Sequence, residues 1–236
     1  MLLSACAVLQ PPACHGAVYL PASPPRGWNS YDSEPAGTNE SHVLAVATLL
    51  SGAGYAGSGY QYVTLDAGWF GDIKVDAYGR PLPDSDAYPS AAAGASFKPL
   101  ATAIHSMGQA DLRLGLWYMA GIPAATFAAN NPIKGTDYRA RDLALNVTYC
   151  PRWDRSWGYA VNHSHPAAQP WYDSLVELWD EWDIDMVKVG AVLPPHAYRD
   201  THTFTTDSSM CCPSRPMLRN SSLPPKLIVR CTSTRF

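Results

Sequence analysis

Between Pro24 and Val189, short apolar runs alternate with amphipathic helical patterns four times, and this alternation constrains the chain more than any single motif in it. A strand, a returning helix and a parallel strand form the repeat unit of α/β folds, in which helices cover a sheet of near-continuous apolar strands. The first strand ends near Gly27-Trp28-Asn29-Ser30, and a helix follows from a cap at Thr38 or Asn39 through Val43, Val46, Ala47 and Leu50 to a stop at Gly52-Ala53-Gly54. The second strand runs from Tyr60 to Asp66; its helix carries Phe97, Leu100, Ala101 and Ile104 on one face, with Ser96 as N-cap and Gly108 as its end. Leu112 to Met119 is the third strand. A long loop to about Pro166 and a helix striped with Trp171, Leu175, Leu178 and Trp182 lead into the fourth strand, Ile184 to Val189.

A closed eight-unit barrel typically needs ~250 residues. Four units consume the chain as far as Val189, so the expected architecture is α/β, an incomplete TIM-type (β/α)8 barrel over residues 23–190. Residues 191–236 are rich in Pro, Ser, Thr and Arg without helical or strand periodicity, and are expected to form an unstructured tail. An open half-barrel leaves the first and fourth strands with unpaired edges and bare inner faces, which predicts homodimers or aggregation. Residues 1–22 contain an apolar run, Met1 to Leu9, followed by small residues around Ala13 to Ala17, the pattern of a leader segment without its basic n-region. Asn-x-Ser/Thr triplets at Asn39, Asn146, Asn162 and Asn220 point the same way, toward a secreted or vacuolar or lysosomal-type compartment. No run approaches the ~20 apolar residues of a membrane-spanning helix.

A net charge of -3 supplies no field for nucleic acid or an anionic membrane and favours a neutral small-molecule partner. Eight Trp and thirteen Tyr exceed what core filling requires, and flat rings with a polar edge suit sugar faces as well as interfaces. None of the six cysteines forms a C-x-x-C pair, and adjacent Cys211 and Cys212 read as incidental. Asp66, Asp72 and Asp76, or the pair His163 and His165, offer a weak metal alternative, but they lack the ligand pattern of a calcium loop; no metal or cofactor is expected.

In parallel β/α folds, reacting groups gather at the C-terminal ends of strands. Those ends carry Trp28 and Asn29, Asp66 and Trp69, Trp117 and Tyr118, and Lys188. An Asp in such a place also serves as an ordinary loop cap. Lys188 sits among Met186, Val187 and Val189, so its ammonium requires an acceptor: a ligand hydroxyl, Asp66, or water reached by snorkelling.

Several motifs now make a specific resemblance. Gly27-Trp28-Asn29-Ser30-Tyr31-Asp32, Asp66-Ala67-Gly68-Trp69, Asp76-Ala77-Tyr78-Gly79-Arg80-Pro81-Leu82-Pro83, Phe97-Lys98-Pro99-Leu100 with His105-Ser106-Met107-Gly108, Gly121-Ile122-Pro123, Asn131-Pro132-Ile133-Lys134-Gly135-Thr136 and Val187-Lys188-Val189 resemble, in order and spacing, the α-galactosidase (melibiase) family, glycoside hydrolase family 27. The resemblance implies a (β/α)8 catalytic barrel followed by a β-sandwich, hydrolysis of terminal α-galactosides with retention, and sugar contacts from Trp28, Asp66 and Lys188. Rim position adds Trp69 and Trp117 to the expected substrate-binding set.

The family's nucleophile is an Asp two residues beyond the lysine, and here that position is Gly190. Its acid/base Asp lies on a later strand. Retaining hydrolysis needs two carboxyl groups ~5–5.5 Å apart, and glycine supplies neither role. Two further departures are the insertion Gln109-Ala110-Asp111 and Val192, which stands opposite Cys150 where relatives supply a disulfide partner. An unspliced intron would explain the glycine and the unpatterned tail together, because an Asp codon interrupted after its first base by the usual intron start reads as glycine. The competing readings are a half-barrel that evolved a new tail and a non-catalytic galactoside-binding or regulatory relative.

Overall fold

A computed structural model describes residues 24–34, 37–52, 54–108, 111–148, 158–190 and 227–230. Its main sheet contains β1 (Arg26–Asn29), β2 (Tyr60–Leu65), β3 (Arg113–Met119), β7 (Met186–Gly190) and β8 (Leu227–Arg230), in that order and all parallel. Helices α1 (Glu40–Ser51), α2 (Lys98–His105) and α5 (Ala168–Glu181) make the crossovers that parallel pairing requires. Among the described residues the sheet does not close, so the expected α/β architecture is present as an incomplete barrel.

Local chemistry accounts for the element ends. The Asn39 Oδ1 accepts the His42 amide at 3.0 Å, satisfying one orphan donor of the first turn of α1. The residue flanking α2 is Phe97, which makes no side-chain cap bond, and the expected Ser96 supplies one instead, its Oγ accepting the Lys98 amide two residues on at 3.1 Å. Helix α5 buries Trp171, Leu175, Leu178 and Trp179 along one stripe. Between sheet and helices, Trp69, Phe97 and Trp182 pack edge to face at 5.6, 6.2 and 5.7 Å between ring centres, and Tyr88 meets Phe97 at 5.0 Å. Edge-to-face rings of this kind contribute beyond their buried area.

Three features differ from the sequence pattern. The long loop after β3 contains β4 (Gly121–Pro123), α3 (Ala124–Ala129), α4 (Ala140–Leu143), β5 (Ala144–Thr148) and β6 (Gly158–Val161), with the three strands forming a small antiparallel sheet in the order β4-β6-β5. Elements this short show no measurable period, so residue spacing alone passes over them. The tail supplies β8, which pairs in register with β7 from Met186↔Leu227 to Val189↔Arg230. The edge of the fourth barrel strand, expected to be open, is therefore covered. Toward the middle of the sheet the inner face is covered, with Thr64, Asp66, Trp117 and Met186 all less than a tenth exposed, whereas Gly27 of β1 on that face is exposed. Gly115 is one cause, since a side chain there would meet Met186 Cε and Thr64 Oγ1 at 2.8 Å; its absence lets the two neighbours converge over the strand.

Candidate active site

Strand register divides the rim residues between two faces. Side chains alternate along a strand, and partners in parallel register share a face. Asn29, Thr64, Gly115 and Met186 lie on one face, and one step higher come Asp66, Trp117 and Lys188, with Trp117 opposite Lys188. Trp28 pairs with Val63 and Leu114 on the other face. Its indole donates to Ser33 Oγ at 2.9 Å and packs edge-on to His42 of α1 at 5.6 Å. Trp28 is thus on the helix side, away from Asp66 and Lys188.

The Lys188 ammonium donates to Asp66 Oδ2 at 2.5 Å across the one intervening strand, β3. Asp66 is 4% exposed, so this charge is desolvated and needs the pairing; the lysine side chain keeps 23% of its surface. Around the carboxylate, Oδ1 accepts from the Ala67 amide at 2.8 Å and the Ser30 hydroxyl accepts the Asp66 amide at 2.9 Å. Ser30 is itself buried, in the turn directly after β1. These bonds fix the carboxylate in one orientation while the ammonium keeps two further N–H donors. The Asp66 carboxylate and the remaining Lys188 donors thus lie side by side at the strand ends.

The five expected binding residues therefore separate. Asp66, Trp117 and Lys188 are brought together. Trp69 is fully buried, its indole donating to the Trp117 carbonyl at 2.8 Å, so it supports the rim from beneath. Sequence reasoning missed the role of Ser30, and it placed Asn29 at the rim but took Trp28 rather than Asn29 into the binding set; the signal between them was parity, since Asn29, not Trp28, is in step with Thr64 and Asp66. The Asn29 side chain accepts the Tyr31 amide at 3.0 Å, and Tyr31 is exposed on the same turn.

Gly190 ends β7 on the same face as Lys188. A Cβ built there would lie 2.7 Å from Trp117 Nε1 and 3.2 Å from Cε2, so the indole fills the corner that a side chain at 190 would enter. Below the rim on the opposite face, Tyr118 donates to the Gly121 carbonyl at 2.7 Å, and burial with Tyr172 nearby pushes its phenol well above the ordinary range. Among the described residues no group of three or more His, Cys, Asp or Glu gathers as a metal site.

A parallel β/α sheet with a carboxylate–ammonium pair at its strand ends has the layout of the C-terminal face on which β/α barrels build their sites. Comparison with known proteins makes this specific. The chain is 27% identical over 192 residues to Alpha-galactosidase 3 of Hypocrea jecorina, covering 72% of this chain and 27% of that protein. It is 36% identical over 102 residues to the α-galactosidase of Cyamopsis tetragonoloba, covering 43% and 23%. Among solved structures, a GH27 β-L-arabinopyranosidase from Geobacillus stearothermophilus superposes with a TM-score of 0.66 at 35% identity, covering 74% of this chain and 42% of that one. A variant of that enzyme has been solved in complex with arabinose. No family model matches the chain. The chain belongs to the α-galactosidase family, glycoside hydrolase family 27, whose members are glycosidases. It spans about a quarter of the length of these curated relatives and about two fifths of the solved structure.

Proposed function

We propose that this chain is the sugar-recognising half of an α-galactosidase-type retaining hydrolase, that it binds a terminal α-D-galactoside at the rim formed by Asp66, Trp117 and Lys188, and that as written it does not cleave it. The observation that carries the reading is the Lys188–Asp66 pair, held at the strand ends beside Gly190. The pair offers directional bonds to ring hydroxyls, whereas hydrolysis with retention needs a carboxylate attacking the anomeric carbon and a second protonating the leaving oxygen. Gly190 has no group to attack with. Loss of the nucleophile costs several orders of magnitude in rate, because no covalent intermediate then divides the displacement.

A β-L-arabinopyranoside is the second substrate to test, on the strength of the arabinopyranosidase neighbour: L-arabinopyranose has the ring of D-galactopyranose without its hydroxymethyl group. The reading extends to a secretory or vacuolar route, supported by the leader-like N-terminal pattern and the Asn-x-Ser/Thr triplets. Among the described residues no helix is long and apolar enough to cross a membrane. Association into dimers through β1, which stands at one end of the sheet order, belongs to the same proposal.

The test has two stages. Sequencing the spliced messenger across the codons for Met186 to Leu193 decides whether Gly190 is encoded in the mature message. Galactose titration of the purified chain, beside a 4-nitrophenyl α-D-galactoside assay, then decides its activity. Binding that vanishes in Lys188→Met, without turnover, supports the reading; turnover by the chain with glycine at 190 overturns it. Binding without turnover in a message that keeps glycine favours the regulatory relative over a gene-structure artefact.

A further inference from the structure

We infer that Asn39 is an acceptor for N-linked glycan, and that its place at the head of α1 lets the attachment leave the helix cap intact. The inference rests on the secretory reading above. Asn39-Glu40-Ser41 is an acceptor triplet, and Asn39 is exposed. Its carboxamide is polarised in use. Oδ1 accepts two bonds, from the His42 amide at 3.0 Å and from the Ser41 hydroxyl at 2.7 Å, while Nδ2 has no partner among the described residues. The two atoms diverge from one planar carbon, so anchoring the oxygen on the helix turns the nitrogen outward.

The chemistry preserves this arrangement. A C–N bond forms between Nδ2 and the anomeric carbon of a lipid-pyrophosphate-linked oligosaccharide; the sugar–phosphate bond breaks, the pyrophosphate leaves with its electron pair, and one amide proton is released. The product is a secondary amide with the same carbonyl oxygen, still able to accept the His42 amide. Other triplets lack this combination. Asn162 is half-buried, its Oδ1 takes the Ser164 amide at 3.1 Å, and the following His163 is stacked on Tyr172. The Asn146 side chain and Asn220 lie outside the described residues. Because Gly37 packs against Gly68, two residues beyond Asp66, a glycan on Asn39 stands on the flank of the sugar-binding rim.

The full chain is translated with microsomes in two forms, one with its own N-terminus and one behind a cleavable secretion leader. Protease protection reads entry, and glycan release by peptide-N-glycosidase in heavy-oxygen water reads occupancy by peptide mass spectrometry. The expected result is a heavy aspartate at position 39 in the protected fraction, lost in Ser41→Ala and in Asn39→Asp, a variant whose carboxylate still caps α1. Protected, leader-bearing chain with unlabelled Asn39 overturns the inference, as does labelling at Asn162 alone. If only the leader-bearing form is protected and it is labelled at Asn39, the acceptor assignment stands and the secretory reading falls.

Discussion

The two ends of β7 are built from the same materials to opposite purposes. Just before its N-terminal end, Asp185 accepts from the Leu114 amide at 2.8 Å and pairs with His105 Nε2 at 2.7 Å, while its own amide donates to the Leu114 carbonyl at 2.9 Å. All of these contacts tie β7 to β3 and the end of α2. At the C-terminal end, Lys188 reaches Asp66 across the sheet and retains unused donors, and Gly190 carries no side chain. The lower carboxylate is consumed by structure; the upper one is held ready for something else. This matches the division in β/α barrels between a stabilising N-terminal face and a reactive C-terminal face.

The largest expected effect separates the two ends by charge. Lys188→Met strands a buried carboxylate and should destabilise the chain by ~3 kcal/mol or more, whereas the double variant Asp66→Asn/Lys188→Met should recover most of that loss. Urea unfolding of the singles and the double measures it, and a double variant no more stable than Lys188→Met would mean the pair is not desolvated. Next, Asp185→Ala should cost ~1–3 kcal/mol through the unpaired Leu114 amide and leave galactose binding unchanged. Weakened binding in that variant would erase the contrast between the ends.

Alkali gives a third test. Burial raises the folded-state phenols of Tyr118 and Tyr172 above their ordinary 10.0, so the stability they contribute is complete below pH 10.0 and is lost as pH rises toward the folded values. Thermal melts should fall from that point upward, and Tyr118→Phe should flatten the decline; an unchanged slope would remove Tyr118 as its source. The smallest effect belongs to Tyr88, whose buried hydroxyl has no partner among the described residues. Tyr88→Phe should be neutral or stabilising by up to ~1 kcal/mol, and a clear destabilisation would reveal a partner for the hydroxyl.

Much of the frame was legible because strand and helix periods dominate wherever an element is long and one-sided. The helices beginning after Asn39 and Phe97, and the one striped by Trp171, Leu175 and Leu178, follow their apolar spacing. Short strands such as Gly121–Pro123 and Leu227–Arg230 do not, since their pairing depends on partners distant in sequence. At the rim, the chemistry of Asp66 and Lys188 was visible in residue type. Facing was harder: a one-residue difference in parity sends Trp28 to the helices, and Trp69, beyond the last residue of β2, turns under the sheet because its indole finds the Trp117 carbonyl.

Trp117 also makes the rim an optical instrument. Its ring lies against Gly190 and in register with Lys188, so a sugar settling on the ammonium changes the polarity and charge that the indole's excited state experiences. Binding at the proposed site would therefore be coupled to the colour and yield of the protein's own ultraviolet emission, with no dye or label attached.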